Sequence, residues 1–254
     1  MKLFKALAQL FHYLGSLGCF ARDTVGWLLT KKRKLKDVIR EIVFIGIDSL
    51  PLVSLISFFI GIIIAFQTAY QLRAFRSEIQ LATLVALSMV RELGPVIGAL
   101  IVAARSGASI TAGIGSMKIS EQVDALEAFG VNPLDYLVVP KFLALFICMP
   151  ILIIYADCLG IIGGYLVGTT KFSINLGLYF RMTFQALSGK DILSGLVKSI
   201  SFGSIIAFVS CYEGFRPFSS IDVSRSVTHA VVRSFILIIV FDCILTAIFY
   251  FVGV

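Results

Sequence analysis

Residues 50–72 read LPLVSLISFFIGIIIAFQTAYQL, 23 consecutive positions without a charged side chain. A helix of roughly 20 apolar residues spans a hydrocarbon core of about 30 Å. This stretch therefore predicts a membrane span and makes the bilayer the solvent against which the rest of the chain is read. Four further stretches fit with less clean edges. Leu81–Ala104 is apolar except for Arg91 and Glu92, Phe142–Gly168 except for Asp157, and Ile192–Tyr212 except for Lys198. Ala230–Val254 carries Arg233 and Asp242. The composition agrees, since 58% hydrophobic and 15% charged residues over 254 positions, with a mean hydropathy of +0.97, is more apolar surface than a soluble domain buries. The expected fold is an all-α integral membrane protein with about five transmembrane helices.

Lysine and arginine accumulate on the cytoplasmic side of inserted helices. Nine of the 22 fall in residues 1–50, and six more flank the second and fourth connections on the same side. The N-terminus is thus expected in the cytoplasm and the C-terminus on the opposite side. The net charge of +7 is explained by these flanks rather than by a nucleic-acid groove. The five cysteines lack C-x-x-C spacing and read as small buried hydrophobes.

Ahead of the first span, Leu3, Phe4, Leu7, Leu10, Phe11, Leu14 and Leu17 recur at helical spacing, with Lys2, Lys5, Gln9 and His12 on other faces. No A-x-A-like cleavage site follows, so the segment reads as an interfacial amphipathic helix rather than a signal peptide. Lys31–Lys36 holds five basic residues in six, suited to anionic headgroups or to a simple topology anchor. The chain divides into an interfacial N-terminal region, 1–49, and a five-helix transmembrane domain, 50–254. A short connection, Arg73–Gln80, predicts that the first two spans form an antiparallel hairpin. The longer one, Thr169–Asp191, has room for a short amphipathic helix.

The most informative stretch is Ser88–Lys141. Arg91 and Glu92 sit about ten residues into a span, where an ionisable group costs several kcal/mol unless it faces protein or water. Pro95 has no N–H, so the carbonyl of Arg91 loses its helical partner. Gly94 and Pro95 mark a helix kink, and the glycines permit close helix approach. Two readings stay open: an internal Arg–Glu pair tying two helices, or the wall of a cavity. Small residues at Ala103–Ser109 and Ala112–Gly115 favour tight packing. Ser120 then reads as an N-cap, with Glu121 and Asp124 in the first turn and Gly130, Asn132 and Pro133 as a stop. The resulting helix is too short to span. Val123, Leu126 and Phe129 form its apolar edge and Glu121, Gln122, Asp124 and Glu127 its polar side, the pattern of a docking element. Lys198 either faces the same cavity, where it could meet a headgroup phosphate, or snorkels to the interface.

Other classes fit poorly. The only histidines, His12 and His229, lie outside the spans, which leaves no serine–histidine pair for an intramembrane hydrolase. Asp157 and Asp242 could form a carboxylate site, although lone acids in spans more often cap helices or pair with a base. A stand-alone ion-coupled carrier remains the alternative, with Glu92 as its titrating group, but such carriers are usually built from internal repeats, which this chain lacks. No G-x-x-x-x-G-K-[ST] motif is present, so any nucleotide energy enters through another subunit.

Arg91-Glu92-Leu93-Gly94-Pro95, Ala104-Arg105-Ser106-Gly107, Ile114-Gly115-Ser116-Met117 and Glu121-Gln122-Val123-Asp124-Ala125-Leu126, continued by Asn132-Pro133 and Pro140-Lys141, resemble the MlaE permeases of MCE-type lipid ABC transporters. Looser similarity runs from about Phe44 to the C-terminus. The resemblance implies a homodimer that binds a cytoplasmic ABC ATPase and an MCE-domain protein and moves lipid, most simply phospholipid. It implies no cofactor on this chain, with ATP used by the partner subunit. It places the protein in a cell inner membrane, or in a plastid inner envelope. Carried over by position, Glu121, Gln122, Val123, Asp124, Ala125, Leu126, Glu127 and Phe129 would form the coupling helix that meets the ATPase, and Arg91 and Glu92 would lie near the lipid cavity. The chain departs from the family pattern at Gly113, where relatives carry glutamate, and in the loop 215–226, which lacks their glycine-rich sequence.

Overall fold

The computed structural model describes residues 2–30, 35–74, 77, 80–172, 174–217 and 219–252. Among them the chain is helical throughout and forms no strand. Helix α1 (Lys2–Thr30) and α2 (Leu35–Ile45) precede a 3-10 turn that leads into α3 (Leu50–Ala74). Next come α4 (Leu81–Ser88), α5 (Gly94–Val102) and α6 (Ala108–Ile119), joined end to end by π-helical turns at Met89–Leu93 and Ala103–Gly107. The short α7 (Gln122–Ala128) follows, then α8 (Val139–Phe172), α9 (Leu176–Ala186), α10 (Gly189–Gly214) and α11 (Ser220–Val252). Five helical stretches are long and apolar enough to cross a membrane: Leu35–Arg73, Leu81–Ile119, Leu134–Phe172, Gly189–Gly214 and Ser220–Phe251. The protein is an all-α, multi-pass membrane protein, as the charge-free runs predict.

The spans extend further than the apolar runs. Leu81–Ile119 has 39 residues, about 58 Å at 1.5 Å per residue, so it projects well beyond a 30 Å core. It carries α7 at its end. We call the two ends of the bundle the α7 face and the α9 face.

Helix α8 is the hub of the bundle, packing against α3, α10, α2, α5 and α4. Its glycines permit this. A Cβ at Gly163 would collide with the Phe58 carbonyl, and one at Gly61 with the backbone of Gly160, so α3 and α8 touch main chain to main chain. The expected hairpin of the first two spans is only part of the truth, because α3 packs chiefly along α8 and more sparingly along α4. The Gly160–Gly168 seam is filled by this chain's own Met89, Val85 and Tyr179, which makes it an internal bundle contact. Tyr179 of α9 is fully buried and donates to the Ile161 carbonyl at 3.2 Å; burial raises its phenol pKa. The amphipathic helix expected in the third connection is therefore present and anchored to α8.

One core joins α5, α6, α8 and α10, with Ile45 and Ile238, and a second joins α3, α4, α8 and α9. Helix α11 differs, exposing Val232, Ile236, Ile239, Val240, Ile244 and Ile248. Cys148 and Cys211 are buried as expected, but Cys19, Cys158 and Cys243 are exposed; in a bilayer protein an apolar thiol needs no protein cover.

Two expectations fall in part outside the described residues. Of the interfacial helix, the side chains at Leu3, Phe4, Leu7 and Leu10 lie outside them, as do residues 31–34 of the basic cluster. The remainder of α1 packs on α10: the Tyr13 and Phe20 rings lie 5.5 and 5.6 Å from that of Tyr212.

Candidate functional site

Arg91 and Glu92 occupy the π-helical turn Met89–Leu93, directly before Gly94 and Pro95. The turn reconciles two demands of the sequence. Pro95 offers no N–H to the carbonyl of Arg91, and that carbonyl instead accepts from Lys198 Nζ at 3.0 Å. Gly94 is required for a separate reason: a Cβ there would meet the Asp157 carboxylate of α8. Gly195 of α10 likewise lies close to the Val90 carbonyl, a Cβ there falling at 2.9 Å.

Arg91 and Glu92 do not pair with each other. Arg91 Nε donates to Asp191 Oδ1 at 2.5 Å. Asp191 is fixed by the N-terminus of α10, where its Oδ2 accepts from the backbone N–H and hydroxyl of Ser188, both at 2.8 Å. Glu92 Oε2 accepts from Lys198 Nζ at 2.6 Å, and Glu92 Oε1 accepts from the Thr246 hydroxyl at 3.1 Å. Lys198 also donates to Thr246 Oγ1 at 2.8 Å and forms an ion pair with Asp242 Oδ1 at 2.8 Å. Three elements, the π turn, α10 and α11, thus meet around one ammonium.

Lys198 is 1% exposed, so the snorkelling reading is excluded by geometry. Its three N–H donors find Glu92, Thr246 and the Arg91 carbonyl, with Asp242 alongside, which is how a buried ammonium is made tolerable. Arg91 and Glu92 remain accessible, with side chains 52% and 42% exposed. They line a cavity of about 130 Å³ with Ser194, Lys198, Thr246, Phe249 and Tyr250. The sequence singled out Arg91, Glu92 and Lys198 but missed Asp191 and Thr246. The Ser188-x-x-Asp191 spacing was a readable capping signal, whereas a threonine among apolar residues gave none. Asp242 finds a base, as lone acids in spans tend to; Asp157 does not, and has no hydrogen bond on Oδ1.

The second candidate element is on the α7 face. The short helix runs Gln122–Ala128, flanked by Glu121 and Phe129. Ser120 is not its N-cap. The Ser120 hydroxyl turns back to the Ser116 carbonyl at 2.8 Å, and Glu121 takes the cap position in a left-handed conformation, φ 58°. The preceding helix persists to Ile119, and Ser120 terminates it rather than starting the next. Gly130, φ +72°, supplies the stop as expected. The apolar edge splits: Val123 is buried, Leu126 half-buried and Phe129 84% exposed. Lys118 Nζ holds Asp124 at 2.6 Å and ties α7 to α6.

The rest of that face is braced by charge. Arg105 bonds to the Phe44 carbonyl at 3.1 Å and Ser49 Oγ at 3.0 Å, and pairs with Asp48 at 3.5 Å. Lys141 pairs with Glu41. Buried Glu213 pairs with Arg233, whose guanidinium lies 4.2 Å over the Tyr13 ring. Burial, and next the Glu213 charge, raise the Tyr13 phenol pKa. Gly113 borders an open cleft of about 560 Å³, so the glutamate of the family pattern would have room there.

Five membrane-crossing stretches, a charge cluster enclosed by three of them and a helix projecting from one face define a multi-pass membrane permease. The family model described as Permease MlaE matches residues 38–248. The chain is 41% identical over 238 residues to a probable ABC transporter permease protein of Rickettsia conorii, covering 93% of this chain and 92% of that one. It is 34% identical over 250 residues to the intermembrane phospholipid transport system permease protein MlaE of Haemophilus influenzae, covering 96% of each. It is 30% identical over 236 residues to the chloroplastic protein TRIGALACTOSYLDIACYLGLYCEROL 1 of Arabidopsis thaliana, covering 92% of this chain and 67% of that one. The chain belongs to the MlaE permease family.

Proposed function

We propose that this protein is the membrane-spanning subunit of an ABC transporter that moves phospholipid between membranes. It is itself non-catalytic and binds no cofactor. A separate cytoplasmic ATPase hydrolyses ATP, and an MCE-domain protein receives or delivers the lipid on the far side. The observation that carries the reading is the cluster around Lys198, in which a buried ammonium holds Glu92 beside an accessible Arg91 inside the spans. Polar groups at that position serve a cargo with a charged headgroup. The bare apolar face of α11 lies next to the same cavity, through Thr246, Phe249 and Tyr250, and a second copy of the chain seated there would complete a two-sided lipid cavity.

In this reading region 1–49 lies along the cytoplasmic leaflet, residues 50–254 form the permease domain, and the C-terminus is on the opposite side. The membrane is a cell inner membrane or a plastid inner envelope. The α7 face is cytoplasmic, and the segment Glu121–Phe129 is the coupling helix. Phe129 projects into the ATPase while Val123 and the Lys118–Asp124 pair transmit the push into α6. Because α4, α5 and α6 are one continuous rod with two π turns, movement of α7 would be felt at Arg91 and Glu92.

The test is purification of the tagged chain in mild detergent, with mass spectrometry of co-purifying proteins and extractable lipid. An ATPase, an MCE-domain protein and phospholipid are expected. Recovery of the chain alone and lipid-free would overturn the reading. F129D should abolish ATPase recovery while leaving bound lipid unchanged.

A further inference from the structure

We infer that the Arg91–Glu92 cavity selects zwitterionic, ammonium-bearing phospholipid headgroups over anionic ones. This rests on the lipid-transport reading above and concerns the same cavity. It begins with the arrangement of charge. Arg91 and Asp191 cancel as a pair. Lys198, however, faces two carboxylates, Glu92 at 2.6 Å and Asp242 at 2.8 Å. Counted by formal charge, the five ionisable groups of the cluster have one more carboxylate than cations. Within a membrane span an uncompensated charge is costly, and a second negative charge brought beside it costs more.

The two accessible groups present that excess in an ordered way. Asp191 engages only Nε of the Arg91 guanidinium, so the two terminal amino groups are left without a hydrogen-bond partner among the described residues. Such a planar fork matches phosphate oxygens. Glu92, the next residue, with its Cα about 3.8 Å away, offers a carboxylate that is anchored by Lys198 and Thr246 yet 42% exposed. A phosphate on Arg91 thus places whatever follows it in the headgroup beside Glu92. An ammonium two carbons beyond the phosphate meets a carboxylate there. A glycerol hydroxyl gains no such charge pairing, and its lipid adds a further uncompensated negative charge to a site already in excess. The cavity of about 130 Å³ suits a compact headgroup.

The experiment is native mass spectrometry of the full chain in detergent, titrated with an equimolar mixture of phosphatidylethanolamine and phosphatidylglycerol of identical acyl chains. The intact protein should show phosphatidylethanolamine adducts in about tenfold excess, one decade being a modest return for one charge pair in a low-dielectric site. E92Q should erase that excess, and D242N, which lowers the same surplus from behind the cavity wall, should reduce it by less. Equal binding, a preference for phosphatidylglycerol, or a preference unchanged in both variants would overturn the inference while leaving lipid transport standing. Failure of the intact chain to bind either lipid would overturn the transport reading and this inference with it.

Discussion

Two carboxylates enclosed by the spans meet opposite fates. Asp242 of α11 stands 2.8 Å from Lys198 in a network that also holds Glu92, Thr246 and the Arg91 carbonyl. Asp157 of α8 is more deeply buried, and no ion pair among the described residues reaches it; its Oδ1 lies against the bare Cα of Gly94, in the wall of an apolar cavity of about 360 Å³. Burial alone therefore does not mark the candidate site. The distinguishing feature is an interlinked set of charges that leaves two of its members, Arg91 and Glu92, open to a ligand. Asp157 instead fills a volume, its oxygen occupying the place a side chain at position 94 would take.

This contrast is most easily broken at Lys198. Removing the ammonium strands Glu92 and Asp242 without a cation, and K198M should lose about 3–5 kcal/mol of stability, read as the thermal unfolding midpoint in detergent. If the cluster holds together through the Lys198 ammonium, the triple variant K198M/E92Q/D242N should recover most of that loss while phospholipid binding stays lost. A single K198M variant as stable as the parent would end the distinction between paired and unpaired acids.

A smaller effect tests the other side. G94A places a methyl group on the Asp157 carboxylate and should cost about 1–3 kcal/mol through overpacking. In a D157A background the same change should cost clearly less, leaving only the 3.0 Å approach to the Met89 carbonyl, a coupling that a double-mutant cycle measures directly. An equal cost in both backgrounds would mean that Gly94 is needed for the π turn alone and that Asp157 has no packing role.

The broad outline of both regions was legible in the sequence, for identifiable reasons. A run such as 50–72 has one physical solution, and a charged pair inside a span demands partners, so the five crossings and the need of Arg91 and Glu92 for partners followed from hydropathy and charge. What the pattern could not supply was partner choice. Arg91 and Glu92 are adjacent and of opposite sign, and only the structure shows that they reach different residues of α10, 100 and 106 positions further along the chain. Lys198 was ambiguous because a lysine stem suits an interface as well as a cavity. Ser120 was misread because a serine before acidic residues has the composition of an N-cap, while its hydroxyl can equally close the preceding helix, as it does on Ser116. The α7 edge showed periodicity but not which of Val123, Leu126 and Phe129 faced the protein.

The finest test of the comparison uses two threonines. The Thr246 hydroxyl accepts from Lys198 and donates to Glu92, so it is part of the linked cluster. The Thr183 hydroxyl is buried beside Asp157's cavity with no hydrogen-bond partner. Valine is close to threonine in shape and removes only the hydroxyl function. T246V should cost about 1 kcal/mol, the net worth of a typical buried hydrogen bond. T183V should cost nothing and can stabilise by up to about 1 kcal/mol, because it relieves an unsatisfied buried group. The two unfolding midpoints, measured side by side in the same detergent, should therefore move in opposite directions or differ by that amount. If both fall equally, the Thr183 hydroxyl has a partner in the membrane-embedded protein, and the Asp157 cavity belongs with the polar sites rather than the packed ones.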